Sequence, residues 1–166
     1  FVDSAIDSNN ILYVSYYDRD EEALKVAYLQ DNDWTIKIVD SQANVGEYSS
    51  IVIDANNIAH ISYYDSENKD LKYAKKLNSE WFVQTVDQSS DVGKFSSIDI
   101  DSQNNPHISY YDESNGDLKY CYYNGYEWIF EVVQKNQDVG LGCSLSLDNN
   151  DASHISFTDD SDKGLY

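Results

Sequence analysis

The sequence predicts an all-β chain, a row of four-stranded antiparallel sheets packed face to face, on three observations. The hexapeptide HISYYD stands at 60–65 and again at 107–112, with weaker copies at 13–18 (YVSYYD) and 154–159 (HISFTD). The aspartates that close these copies, Asp18, Asp65, Asp112 and Asp159, keep one interval of 47 residues. So do Trp34, Trp81 and Trp128, Gly46, Gly93 and Gly140, and Leu24, Leu71, Leu118 and Leu165. Self-similarity at a fixed period of this length marks a repeat architecture, and four short strands per period are the signature of a β-propeller blade. The repeats run 1–47, 48–94, 95–141 and an incomplete 142–166, about three and a half blades. No linker or composition shift interrupts them, so 1–166 is one partial β-propeller, a fragment of a larger ring.

The second copy shows each strand in turn. SIVID (50–54) is a short apolar alternation, and HISYYD (60–65) is β-branched and aromatic. LKYAKK (71–76) alternates, and WFVQTVD (81–87) is again β-rich. Runs of this length between Asp, Asn, Ser and Gly clusters read as strands, and no window carries a helical period. Asn10, Asn57, Asn104 and Asp151 share the repeat position between the first two strands, where Asn and Asp tolerate a left-handed backbone. Asn124-Gly125, between the last two strands of the third copy, predicts a tight type I′ hairpin. Along the second strand Ile61 and Tyr63 point to one face, and Ser62 and Tyr64 to the other. Both tyrosines can be buried only if both faces are covered, as they are between two blades. Each can bury roughly 150–250 Å² and still offer its hydroxyl to a polar partner. HISYYD therefore reads as inter-blade packing.

Thirty acidic residues against eleven basic ones give a net charge of −19. Such a chain repels a polyphosphate backbone, whose binding relies on Lys and Arg displacing counterions, and anionic membrane surfaces for the same reason. No nucleic-acid partner and no membrane insertion are expected. The chain contains no Met, and it stops at KGLY, where Leu165 matches the opening of a third strand. It is expected to be part of a longer protein. Two copies cannot close a ring of complete blades, because each provides the first two strands four times and the last two only three. Propellers close at about four to eight blades. The expected partners are therefore the remaining blades of the parent chain, or copies associating through open blade faces.

Candidate sites were weighed against packing roles. The loops between second and third strands are acidic, and DESNGD offers Asp112, Asn115 and Asp117 around Gly116, a partial match to a calcium loop. The competing reading is a solvated turn whose Asp and Asn bond their own backbone. No other cofactor is expected. His60, His107 and His154 open the second strands without a further ligand at metal-site spacing and read as structural. Trp34, Trp81 and Trp128 open the fourth strand, at one edge of the meander. If that edge is outermost, they are candidates to stack on sugar rings; otherwise they cover the blade's apolar edge. Cys121 and Cys143 replace small residues of other copies and read as buried thiols, with an inter-blade disulfide as the alternative. No catalytic constellation is visible, and the chain is expected not to be an enzyme.

The stretch IDSQNNPHISYYDESNGDLKYCYYNGYEW (100–128), with its NPHISYYD…GDLKY core, resembles the β-propeller repeats of large bacterial and archaeal surface or secreted proteins. The similarity covers the whole chain and implies a fold and an extracellular or cell-surface setting more than an activity. The Gly-His and Trp-Asp pairs of WD repeats are absent, as are the Ser-x-Asp-x-Gly-x-Thr-Trp box of sialidase-type propellers and the Trp-Gly-rich motifs of propeller lectins. The expectation is a non-catalytic scaffold or protein/ligand interaction surface. The alternative is a multivalent, lectin-like module with one weak glycan site per blade.

Overall fold

The computed structural model describes residues 1–135, 138–159 and 164–166. It is all-β among these residues, with every sheet an antiparallel meander. The first sheet comprises β1 (Val2–Ile6), β2 (Leu12–Asp18), β3 (Ala23–Gln30) and β4 (Asp33–Asp40). The second comprises β5 (Val45–Ile53), β6 (Ala59–Asp65), β7 (Asp70–Leu77) and β8 (Glu80–Asp87). The third comprises β9 (Val92–Ile100), β10 (Pro106–Asp112), β11 (Asp117–Tyr123) and β12 (Trp128–Gln134). The fourth holds β13 (Val139–Leu147), β14 (Ser153–Asp159) and the short β15 (Gly164–Leu165). Strand order follows chain order in all four, as a propeller blade requires.

The first strand of each blade is innermost. Phe1, Tyr48 and Phe95 hold one repeat position and meet there, with ring centroids 4.0 Å apart for Phe1–Tyr48 and 4.6 Å for Tyr48–Phe95. The fourth strand is therefore the outer edge. A bulge interrupts pairing between β5 and β6 around Glu47, and its counterpart interrupts β9 against β10. It is built on Gly46 and Gly93, at φ +113° and +109°. A Cβ on either would lie 2.7 Å from the Cα of Leu24 or Leu71 in the preceding blade. The repeated Gly and Leu are thus two sides of one contact, and both leucines are fully buried.

The repeated tyrosines lie where the alternation put them. Tyr63, Tyr64, Tyr110 and Tyr111 are 0, 3, 0 and 6 % exposed. In each pair one hydroxyl reaches back and the other forward. Tyr63 donates to Asp40 of the blade before at 2.8 Å, and Tyr64 donates to Asp91, ahead of β9, at 2.6 Å. Tyr110 and Tyr111 do the same with Asp87 and Asp138, at 2.7 and 3.0 Å. Each buried phenol keeps its apolar area and satisfies its one donor.

The turns agree at one position and depart at another. Asn10, Asn57, Asn104 and Asp151 all adopt φ of 62–63°. At the Asn124-Gly125 hairpin the structure corrects the expectation: four residues, not two, separate β11 from β12. Asn124 acts instead as a side-chain cap, its Oδ1 accepting from the N–H groups of Tyr126 and Glu127 at 2.9 and 3.0 Å. Two-residue turns occur in the first and second blades, at Asp31-Asn32 and Asn78-Ser79; at Asp31-Asn32 both residues have positive φ and Gln30 pairs with Asp33. That is type I′ geometry.

Candidate functional site

The joints between blades carry most of the polar chemistry. Asp40, at the end of β4, is buried; its Oδ2 accepts from Tyr63 and from Lys72 Nζ at 2.6 Å. One period on, Asp87 Oδ2 accepts from Tyr110 and from Lys119 Nζ at 2.5 Å. Burial pushes both carboxyls up, but the bonds from Lys, Tyr and nearby donors outweigh it and hold both below the ordinary value. Each joint thus locks two blades through one ionised Asp. Two hydroxyl pairs add to the contact on the same joints: Ser15 with Ser49 at 3.1 Å, and Ser62 with Ser96 at 2.9 Å.

Two of the three histidines are built into the packing. His60 is fully buried, with Nε2 3.3 Å from Asp54 Oδ2 and Nδ1 2.6 Å from the Tyr73 hydroxyl. Burial lowers its pKa to about 4, so the ring is neutral, donates from Nε2 to Asp54 and accepts the Tyr73 proton at Nδ1. His107 repeats the arrangement with Tyr120 and with Asp101 at 3.6 Å. His154 is exposed, 3.5 Å from Asp148. The three lie on separate blades and do not form one site.

The loop that holds the calcium candidates spends its groups on itself and on the segment ahead of β9, where Ser90 Oγ donates to Asp112 Oδ1 at 3.2 Å and the Asp91 N–H donates to Ser114 Oγ at 3.0 Å. Asp112 Oδ1 accepts from the Asn115 N–H at 3.2 Å, and Oδ2 accepts from the Asn115 amide at 2.9 Å. Asp117 pairs with Asp112 across the β10–β11 hairpin. Among the described residues no three His, Cys, Asp or Glu side chains are grouped to hold a metal. Cys121 and Cys143 are buried free thiols; Cys143 Sγ accepts from Ser109 at 3.3 Å, and burial raises both thiol pKa values. The fourth copy's acidic loop, 160–163, lies outside the described residues.

The three tryptophans stand on the outer strand and meet two different fates. Trp34 is covered by no other blade among the described residues and is 54 % exposed. Trp81 and Trp128 are half-buried, each packed against the apolar residues of the joint it shares with the preceding blade. They therefore cover an edge and also wall a cleft. Between the second and third blades a cleft of about 360 Å³ is lined by Trp128, Phe82 and Tyr123, with Lys75, Gln84 and Asn105 as polar members. Tyr73 and Tyr123 meet the Trp128 ring edge-on at 5.5 and 5.7 Å. The Trp128 Nε1–H is buried and meets no acceptor among the described residues. One joint earlier, Trp81 and Tyr28 wall a cleft of about 590 Å³ with Lys37, Lys76 and Glu80. Lys76 Nζ lies 5.1 Å from the centre of the Tyr28 ring. The two clefts are related by the repeat: Trp81 matches Trp128, Lys37 matches Gln84 and Lys76 matches Tyr123.

No tryptophan in isolation pointed to these clefts, because each is shared between two repeats. The same holds for the axial cluster of Phe1, Tyr48 and Phe95, whose signal was aromatic recurrence at 47 residues on an innermost strand.

No family model matches the chain, and no curated protein sequence matches it significantly. Solved structures do. A fucose lectin from Kordia zhangzhouensis, in complex with methyl-fucoside, is similar at a TM-score of 0.58 and 14 % identity, over 81 % of this chain and 100 % of the lectin. A protein of unknown function from Dyadobacter fermentans is similar at a TM-score of 0.72 and 10 % identity, over 95 % of this chain and 48 % of its own. A bifunctional GH43-CE protein from Bacteroides eggerthii is similar at 0.58 and 9 % identity, over 96 % of this chain and 22 % of its own. The chain thus spans about half of one of these proteins and about a fifth of another. At such identities the likeness is one of fold: this chain is all-β and propeller-like.

Proposed function

We propose that the chain is a non-catalytic β-propeller segment that acts as a ligand-interaction surface of an exported or cell-surface protein, and that its ligand is carbohydrate seated between blades. The observation that carries this is the pair of repeat-related clefts. Each has an indole wall on which the apolar face of a sugar ring can stack, beside polar side chains suited to its hydroxyls. The likeness to a fucose lectin supports the same reading. Sites repeated on successive blades act together, so that weak individual binding gains through avidity.

A glycan array probed with the purified chain tests the proposal. Binding is expected, with a loss of at least about tenfold in Trp128→Ala and Trp81→Ala variants whose circular dichroism is unchanged. Binding that ignores both tryptophans would overturn it. An array with no signal at all would favour the scaffold reading, in which the half-buried indoles serve only to cover the joints.

A further inference from the structure

Blade one keeps half of a lock. Tyr16 and Lys25 hold the repeat positions of Tyr63 and Lys72, and of Tyr110 and Lys119. In the second and third blades those residues close on the Asp that ends the fourth strand of the blade before. No blade among residues 1–166 lies before the first, and the consequences are local. The Tyr16 hydroxyl has no partner among the described residues, and Tyr16 is half-exposed where Tyr63 is buried. Lys25 has turned to acids of its own blade, with Asp18 at 2.8 Å and Glu21 at 2.6 Å. Lys72, by contrast, stands 3.9 Å from the equivalent Asp65 and 2.6 Å from Asp40. Around this pair lies an uncovered apolar face: Val2, Ile6 and Ile36 are exposed, as is Trp34. Their counterparts one repeat on, Ser49, Ile53, Val83 and Trp81, are buried or half-buried against the first blade.

We infer that this face is the receiving half of a further inter-blade joint. Its occupant is a blade of the same 47-residue repeat, not among residues 1–166, whose outermost strand ends in an Asp that accepts from both Tyr16 and Lys25. The argument is continuity with two joints already formed, in which the residues at the repeat positions of Tyr16 and Lys25 both donate to one carboxylate. A second copy of this chain does not fit. Its uncovered face at the other end belongs to the fourth blade, which has no fourth strand among the described residues. The position of the lock Asp in the third repeat is Gln134. The inference is independent of the ligand reading above.

The test adds one repeat directly ahead of Phe1, keeping the full chain and the register. In one version the added segment copies residues 48–94 and brings Asp87; in the other it copies 95–141 and brings Gln134. Both should cover the apolar face and raise Tm. The Asp version should melt about 5 °C higher than the Gln version, given that each kcal/mol is worth about 2–4 °C at this size. That difference should vanish when Tyr16→Phe and Lys25→Met are introduced, or when the added Asp is changed to Asn. Equal melting of the two extended chains, or failure of both to fold, would overturn the inference. So would a stable dimer of the unextended chain, seen by sedimentation, that dissociates in the Lys25→Met variant.

Discussion

The joint between the second and third blades and the joint between the third and fourth use the same repeat positions and are held differently. At the former, buried Asp87 accepts from Tyr110 and Lys119. At the latter the three positions are Gln134, Phe157 and Tyr166, so all three have changed together. Gln134 is exposed, and the Phe157 and Tyr166 rings stack at 5.7 Å. The difference teaches that the lock is a unit. Removing one member of a buried ion pair leaves a charge without compensation, whereas replacing the whole set by apolar or neutral groups costs little. Between these two joints the set is either complete or wholly replaced.

The largest expected effect tests that unit directly. Asp87→Ala strands Lys119 and Tyr110 and should cost about 3–5 kcal/mol in urea unfolding. Installing the other joint's set, Asp87→Gln with Tyr110→Phe and Lys119→Tyr, should restore most of that loss. A triple variant as unstable as the single one would show that the three groups act separately.

Acid should expose the second difference between well-covered and open blades. His60, buried in the second blade, has its pKa lowered to about 4 by burial, against about 6.5 in an unfolded chain. Above pH 6.5 neither state binds the proton. Between roughly 6.5 and 4 the unfolded chain takes it up and the folded chain does not. Stability is thus complete above that window and falls with pH through it, by about 3 kcal/mol in all. Below about pH 4, protonation of Asp40 and Asp87, whose folded pKa values are depressed, withdraws more. Urea midpoints between pH 7 and 4 should trace this slope, and His60→Gln should flatten it in the upper part of the window. A slope unchanged by that substitution would place the acid sensitivity elsewhere.

The smallest effect separates the two joints by their glycines. A Cβ at Gly93 would lie 2.7 Å from Leu71 Cα; at Gly140 the corresponding distance to Leu118 is 3.0 Å. Both glycines have positive φ, near +109° and +103°. Gly93→Ala should cost about 2 kcal/mol and Gly140→Ala somewhat less, since strain is common to both and the clash is milder at Gly140. Thermal melts of the two variants would rank them; the reverse order would mean that the fourth blade packs the more tightly.

Much of this was legible in advance, and what was not has one cause. Strands follow from local alternation, and the left-handed Asn10, Asn57 and Asn104 from a local backbone preference, so both could be read from short windows. The tyrosines followed from counting faces. The lock did not, because Tyr63 and Asp40 are 23 residues apart and Lys72 and Asp40 are 32 apart, in different repeats. The clefts at Trp81 and Trp128 are likewise divided between two blades. Asn124 misled because its side chain found two backbone donors and held a four-residue loop where a bare pair suggested two.

Periodicity and composition determined that this protein is a stack of like sheets with tyrosines between them. Those features depend on how each residue sits on its own strand, which a repeat states several times over. Only the tertiary structure decided which carboxylate meets which lysine, which indole walls a cleft, and which copy of an identical motif is left uncovered. The repeated Tyr is buried in the second and third blades and half-exposed in the first, and the repeated Lys pairs with the blade before in those two and with its own blade in the first, because burial and pairing belong to the neighbour that covers a face, and a repeat does not encode its own position in the row.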